Sequence, residues 1–573
     1  MENNQETVGN VKHQLAKLFK ESLSVTFPEE LDVDPSIASC QNPKFGDYQC
    51  NNAMGLWAKV NGKGTQFKGP QPIGQAILEN LPKSDVIGSQ SIAGSGFVNV
   101  KLSTPWIAKS IHKMLVEGIE IWAPKLSVKR ALVDFSSPNI AKELHVGHLR
   151  STIIGDTLAR MLEYSNVEVL RRNHIGDWGT QFGKLIEYFF EKCPDGEING
   201  QAIGDLETLY KASEQRFNSD DVFKEKAHQA VVSLQAGVER YQNVWAKICE
   251  ISLKESEKIY QRLGVQSVVK GESFYNPFIP GALKLLSEKG LIKLDKGALT
   301  ISIEGIQQPL IVVKSDGGFN YASTDLAALW YRLNEEKAEW IIYVTDVGQR
   351  EHFELFFSAA KLAGWLPAED NRYPKVSHVT NGFVQGVDGK KFKTRNSDTV
   401  KLVDLLDEAK SRCKAALIER GKNEEWTAEE LEQTAEAIGY GAVKYAELKN
   451  NRATNYTFSF DQMLNDKGNT AVYLLYAHAR ISSIIRKSGK DIEELKKTGT
   501  LNLVHSDERA LGLHILRFAE AVEQACSHFL PNILCEYLFT LSEVFARFYS
   551  NCQWWDRRRR QVGCCCARQR PLL

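Results

Sequence analysis

The sequence predicts an α/β protein with a largely parallel, doubly wound sheet in mid-chain, an α+β segment before it and an all-α bundle after it. Three observations carry this. Two short apolar runs, residues 131–135 and 340–344, read as buried strands. Each leads through a turn into a segment whose apolar residues recur near a 3.6 period, as a helix requires. Strands that alternate with helices pair in parallel through helical crossovers, which gives a doubly wound sheet. From about residue 400 onward the pattern is helical throughout.

The elements follow in order. Residues 11–23 read as a helix. Gly94-Ser95-Gly96 forms a turn before the alternating strand candidate at 97–102. Pro124 and the change of pattern near Leu126 mark a boundary, so the first domain is taken as residues 1–123. The second, 124–400, opens with the strand at 131–135 and the turn Ser136-Ser137-Pro138-Asn139. A helix starts near His145 and carries Leu149, Ile153, Ile154, Leu158, Met161 and Leu162 on its apolar face. A helical insertion spans about 206–263. The strand at 340–344 precedes a helix over 353–364, closed by Gly364 as its C-cap. The third domain, 401–553, contains a capping box of Thr427 and Glu430 and long helices at 471–487 and 507–529. Residues 554–573 form a basic, Cys-rich tail.

Composition bounds the function. A chain of 573 residues suggests roughly three to four domains. Lys plus Arg and Asp plus Glu both number 71, so a nucleic-acid partner must meet a local basic face, not a cationic bulk. No apolar run reaches the roughly 18 residues of a membrane-spanning helix. Residues 1–10 are polar, include two acids and lack an apolar signal core, so a cytoplasmic protein is expected. The 11 cysteines show no paired zinc spacing, so free thiols and no metal site are expected.

The sharpest chemical signal is His145-Val146-Gly147-His148 at a helix start just after a strand and turn. A helix N-terminus offers unpaired N–H groups and a partial positive charge, which favour phosphate. Two imidazoles add donors beside the same anion, and a glycine lets a nucleotide approach the backbone. The motif resembles the His-Ile-Gly-His signature of class I aminoacyl-tRNA synthetases. The longer run over residues 135–152, with Arg172-Asn173-His174-Ile175-Gly176-Asp177-Trp178-Gly179, is similar to the arginyl-tRNA synthetases, and the similarity extends from about residue 10 to about 552.

That resemblance implies a Rossmann-like catalytic domain and activation of arginine by ATP, followed by transfer to arginine tRNA, with Mg²⁺ accompanying ATP. It implies activation only with tRNA bound, and a monomeric enzyme is expected. His145, Gly147 and His148 would act in catalysis, with His145, His148 and His352 lining the ATP site. The second class signature, a lysine-rich loop, matches Lys391-Phe392-Lys393-Thr394-Arg395 in degenerate form; Lys142 matches a family lysine that supplies the missing charge. Lys391 and Lys393 also read as an exposed basic turn, and Lys142 as a solvated surface residue.

Arginine selection needs an acceptor for a planar guanidinium, which a carboxylate grips in bidentate form and an aromatic face stacks on. Tyr321 and Asp325 match the family's segment for this; the competing reading makes Asp325 a helix cap. Ser137, Asn139 and Gln349 match further substrate ligands. Residues 1–123 resemble the additional tRNA-binding domain, and 401–553 the anticodon-binding domain, where Tyr473 and Arg480 would meet tRNA. Tyr473 also reads as helix core, and Leu474 and Leu475 are expected to be core. The end departs from the family: Trp554-Trp555-Asp556 runs into four arginines and Cys564-Cys565-Cys566. It reads as an altered gene end that leaves Leu534, Leu538, Leu541 and Phe545 partly uncovered and the chain less stable, or as a basic tail for RNA phosphate. The alternative function is a catalytically impaired, synthetase-derived RNA-binding protein.

Overall fold

The computed structural model describes residues 10–28, 33–40, 42–63, 65–193, 206–386, 388–389 and 400–552. Two compact units result: Met1–Lys125 with Tyr473–His528 and Ile533–Leu573, and Leu126–Val472 with Phe529–Asn532.

In the first unit, the helix Val11–Thr26 starts at Asn10, whose side chain accepts from the His13 N–H at 2.9 Å. It buries Val11, Leu15, Phe19 and Leu23, one stripe at helical spacing. Strands β1 (Ile37–Ser39), β2 (Tyr48–Cys50), β3 (Ile87–Ala93) and β4 (Phe97–Leu102) form an antiparallel sheet in the order β1-β2-β4-β3. Leu516 and Ala519 complete this core, from the helices Ser506–Leu516 and Phe518–His528. The helix expected over 507–529 is thus two, broken at Arg517. Asp47 ties the helices down, accepting from Arg509 at 2.6 Å and from the Leu102 N–H at 2.8 Å.

The helix Ala471–Ser488 buries only Ala471 and Val472. Leu475 is 44% exposed, against the expectation of a core position: it lies on a face of this helix that the packing leaves open among the described residues. Likewise Leu538 is exposed on Asn532–Asn551, while Leu534, Leu541 and Phe545 are half-buried.

The second unit is built on a five-stranded parallel sheet in the order β12-β11-β5-β6-β7. Its strands are β5 (Arg130–Asp134), β6 (Glu168–Asn173), β7 (Val268–Val269), β11 (Trp340–Asp346) and β12 (Lys375–Asn381). Between β7 and β11 lies a separate three-stranded antiparallel sheet, β8 (Ile292–Asp295), β9 (Ala298–Ile301) and β10 (Leu310–Val313). The doubly wound expectation is met. The chain moves outward from β5 in one direction, then returns to the other side of β5 with β11. Ligands of open α/β sheets bind at such a reversal, outside the carboxyl ends of the strands.

The insertion forms three helices, Leu206–Ser219, Asp221–Gln235 and Glu239–Leu263. The helix expected over 353–364 spans Arg350–Leu362; Ala363 is its cap, and Gly364 takes the left-handed turn one residue on. Thr427 and Glu430 form the expected capping box of Ala428–Leu448. Short strands β13 (Val384–Gln385) and β14 (Tyr456–Thr457) pair in parallel.

Two features fix the turn after β5. The helix Val146–Tyr164 sits so close that a side chain at Gly155 would collide with Phe135. Ser136, Ser137 and Ala141 have positive φ, at 70°, 47° and 63°. Such backbone costs about 1–3 kcal/mol per residue and persists where its surroundings over-determine it. Here Ser151 Oγ, Asn173 Oδ1 and Ser252 Oγ accept from the three strained N–H groups at 2.9–3.0 Å.

Candidate active site

The carboxyl ends of β5 and β11 open onto a cavity of about 580 Å³. Its lining includes Asp134 at the end of β5 with Ser136, Ser137 and Asn139 after it, and Thr345 and Asp346 at the end of β11 with Gln349 after it.

One side is the start of the helix Val146–Tyr164. His145 is its N-cap, and His145 Nδ1 accepts from the Gly147 N–H at 3.0 Å. His148 Nδ1 accepts from the His145 N–H at 3.2 Å, and the rings lie 4.0 Å apart. An imidazole nitrogen that accepts carries no proton, so the His148 proton sits on Nε2. Burial, then the neighbouring His145, pushes His148 down to about 3, so it is a neutral donor at physiological pH. Gly147 and His148 line the cavity, whereas His145 shapes the turn beneath them.

The other side is acidic. The cap of the helix Tyr321–Asn334 is Asn320, which exchanges hydrogen bonds with Ser323, so Asp325 is not the cap. Its carboxylate lines the cavity, one turn from Tyr321 on the same helix face. His352 Nε2 bonds Asp325 Oδ2 at 2.5 Å, and His174 Nε2 lies 3.8 Å from Oδ1. Burial opposes the Asp325 charge, but the His352 bond and the nearby His174 and Arg332 hold the carboxyl below its usual range. Tyr321 is 73% exposed at the rim.

A second carboxylate, Glu272, faces the same space. It sits in the short helical turn Glu272–Tyr275, fixed by Asp177, which accepts from Ser273 N–H at 2.8 Å and Ser273 Oγ at 2.6 Å. Burial, then Asp325 and Asp177, pushes Glu272 up to about 8. Beneath the cavity Arg332 is 1% exposed and pairs with Asp134 at 2.7 Å, between the rings of Tyr275 and Tyr343. The chain thus balances Asp134 with its own guanidinium, while Asp325 and Glu272 present acceptors to the cavity.

Ser137 and Asn139 are at the cavity edge, where Ser137 Oγ donates to Asp134 Oδ1 at 2.9 Å and accepts from His174 N–H at 3.0 Å. Gln349 is at the opposite rim. Lys142 is not in the lining; its Nζ lies 5.3 Å from the Tyr210 ring centroid. Lys391 and Lys393 lie outside the described residues. The chain re-enters at Val400, whose carbonyl accepts from Val146 N–H at 2.9 Å beside the first motif. Tyr473 and Arg480 belong to the other unit: Tyr473 packs on Phe539 at 5.8 Å, and the Arg480 guanidinium lies 4.7 Å from the Tyr549 ring centroid.

Residues 98–460 match the description "tRNA synthetases class I (R), catalytic domain". Residues 11–102 match "Arginyl tRNA synthetase N terminal domain", and 474–568 "DALR anticodon binding domain". The chain belongs to the arginyl-tRNA synthetases. It is 69% identical over 551 residues to the chloroplastic/mitochondrial arginine–tRNA ligase of Arabidopsis thaliana, covering 96% of this chain and 86% of that one. It is 67% identical to the cytoplasmic arginine–tRNA ligase of the same plant, covering 96% and 92%. The solved arginyl-tRNA synthetase of Plasmodium falciparum superposes with a TM-score of 0.85 at 35% identity, over 96% of this chain and 94% of that one.

For an arginyl-tRNA synthetase, the acidic wall is the informative part, and half of it escaped the sequence reading. Glu272 lies in Gly271-Glu272-Ser273, far along the chain from the first motif. Its one available signal was a glycine before an acid: a side chain at Gly271 would run into the Asp177 carboxylate.

Proposed function

We propose that this cavity binds arginine by its guanidinium at Asp325, Glu272 and Tyr321, and ATP beside His148 and Gly147. As a member of the arginyl-tRNA synthetases, the chain is a class I enzyme, an arginine–tRNA ligase. The observation that carries the assignment is the make-up of the cavity lining: the acidic side chains of Asp325 and Glu272 together with a helix N-terminus that bears a neutral histidine donor. A cationic side chain fits the first and a triphosphate the second. Between them Ser137, Asn139 and Gln349 are proposed to orient the arginine backbone. The arginine carboxylate then attacks the α-phosphorus in line, pyrophosphate leaves, and a terminal ribose hydroxyl of tRNA takes the arginyl group from the adenylate with loss of AMP. Positioning and neutralising phosphate charge supply the rate.

Lys142, Lys391 and Lys393 are proposed to neutralise the leaving phosphates. Among the described residues, no group of three or more His, Cys, Asp or Glu is arranged to hold a metal. Mg²⁺ is proposed to arrive on the nucleotide, held by phosphates and water. Arg480 lies inside the segment matched to the anticodon-binding description and, with Tyr473, is proposed to meet tRNA. A monomer is proposed. No described helix is long and apolar enough to cross a membrane. The proposed compartment is the cytoplasm, supported by the 67% identical cytoplasmic relative. No observation favours the non-catalytic reading.

Pyrophosphate exchange with arginine tests the assignment. Exchange is expected only with arginine tRNA present, and His148→Ala should lower kcat by about 10²-fold, the typical cost of losing one preorganised donor. A folded chain that shows no exchange, or a variant as fast as the parent, would overturn it.

The raised Glu272 adds a pH signature. In the empty cavity it keeps its proton up to about pH 8. A bound guanidinium favours the carboxylate, so arginine should bind more tightly as pH rises toward 8. The KM for arginine is expected to fall by up to about tenfold per pH unit between 6 and 8, then level. Glu272→Gln should remove most of that slope; an unchanged slope in the variant would exclude Glu272 as its source.

A further inference from the structure

We propose that His352 is a positioning residue for Asp325: it holds one carboxylate oxygen so that the other is presented to the arginine guanidinium. The inference rests on the assignment of Asp325 as the arginine acceptor. It differs from the sequence-based expectation that His352 lines the ATP site.

The geometry places His352 on the arginine side of the cavity. Its Nε2 bonds Asp325 Oδ2 at 2.5 Å. The nearest imidazole to the other oxygen, His174, is 3.8 Å away, beyond hydrogen-bond range. His174 is itself restrained: the Arg332 guanidinium, always a donor, lies 3.5 Å from His174 Nδ1, which places the ring proton on Nε2. Among the described residues, Asp325 Oδ1 has no hydrogen bond. A carboxylate with one oxygen bonded and one open cannot rotate freely, and its open lone pairs have a fixed direction.

The His352 ring is fixed in turn. It packs on Phe356 at 5.4 Å and on Phe353 at 5.8 Å, and both phenylalanines are buried. Phe353 stacks on His378 at 4.1 Å, and His378 Nε2 is bonded to Thr345 Oγ1 at 2.7 Å, at the end of β11. A rigid aromatic cluster therefore aims Nε2 at Asp325. The same helix carries Gln349 at its start, so one element sets the cavity rim and the carboxylate support together.

Substitution by two amides separates the ring nitrogens. Glutamine places its amide nitrogen near the position of Nε2; asparagine places it near Nδ1. In tRNA-dependent pyrophosphate exchange, His352→Asn is expected to raise the KM for arginine about tenfold, leaving the KM for ATP within twofold. His352→Gln is expected to restore the KM for arginine to within about threefold of the parent. A rise in the KM for ATP with arginine unaffected would return His352 to the nucleotide site and overturn the proposal. Equal losses of kcat in both variants, with neither KM moved, would also overturn it. Asp325→Asn run alongside keeps the two readings apart. If it leaves the KM for arginine unchanged, the acceptor assignment fails; if it raises that KM while His352→Asn does not, only the positioning role fails.

Discussion

Replacing Asp325 by asparagine is expected to raise the KM for arginine by about a thousandfold, with the KM for ATP nearly unchanged. The substitution keeps the shape and removes the charge. A planar guanidinium presents only donors, and the asparagine amide would turn one N–H₂ donor toward it. Truncating one partner of a desolvated, hydrogen-bonded charge pair costs about 2–5 kcal/mol, and a thousandfold corresponds to about 4 kcal/mol. The upper part of that range applies because the His352 bond holds the amide oxygen and so leaves the N–H₂ donor facing the guanidinium. Steady-state exchange at varied arginine checks it. A KM within fivefold of the parent would mean that Glu272 is the main acceptor and Asp325 a support.

In the proposed site, lysine is expected to be a poor substitute for arginine. An ammonium is a compact point charge and cannot make two parallel bonds to acceptors fixed in direction. In that reading selectivity depends on Asp325 and Glu272 being held still. The Asp177–Ser273 clamp fixes the turn that carries Glu272, and the aromatic cluster under His352 supports Asp325. Arg332 completes the balance. Burial, and then that guanidinium, disfavours a charge on His174, whose protonated ring would compete with substrate for Asp325.

How much of this was legible depended on range. Strand Phe97–Leu102 and the Thr427–Glu430 capping box are local patterns, and both stand as read. The first motif was legible because its chemistry lies within four residues. Whether Asp325 caps its helix could not be settled from the apolar stripe that follows it; the decision rests on Asn320 and Ser323, which form the actual box. Glu272 was silent because its environment comes from Asp177 and Asp325, at distant points in the chain. Leu475 was misread because a helical stripe shows which face is apolar, not whether anything covers it. The break at Arg517 was hidden by apolar periodicity that continues on both sides of it.

Arg150→Met is expected to destabilise the unit built on the parallel sheet by about 3–5 kcal/mol, whereas Arg150→Met with Glu447→Leu should recover most of that loss. Arg150 follows the first motif by two residues and is 1% exposed, as is Glu447. The pair is bonded at 2.5 Å, with Arg150 Nη1 also donating to Thr454 O at 2.8 Å. This links the start of the motif helix to the end of Ala428–Leu448 and to the loop before β14. Burial raises the Glu447 carboxyl above its usual range in spite of Arg150, so desolvation outweighs the attraction within the pair. Among the described residues, Arg150 Nη2 and Glu447 Oε2 also have no hydrogen-bond partner. Breaking such a pair strands one buried charge, but replacing both partners by apolar side chains removes the desolvation cost as well. Denaturant melts of the parent, the single variant and the double variant distinguish these cases. If the double variant were no more stable than the single one, the pair would be a net stabiliser of the fold. If it recovered stability but lost exchange activity, the pair would instead serve to fix the angle at which the motif helix presents His148.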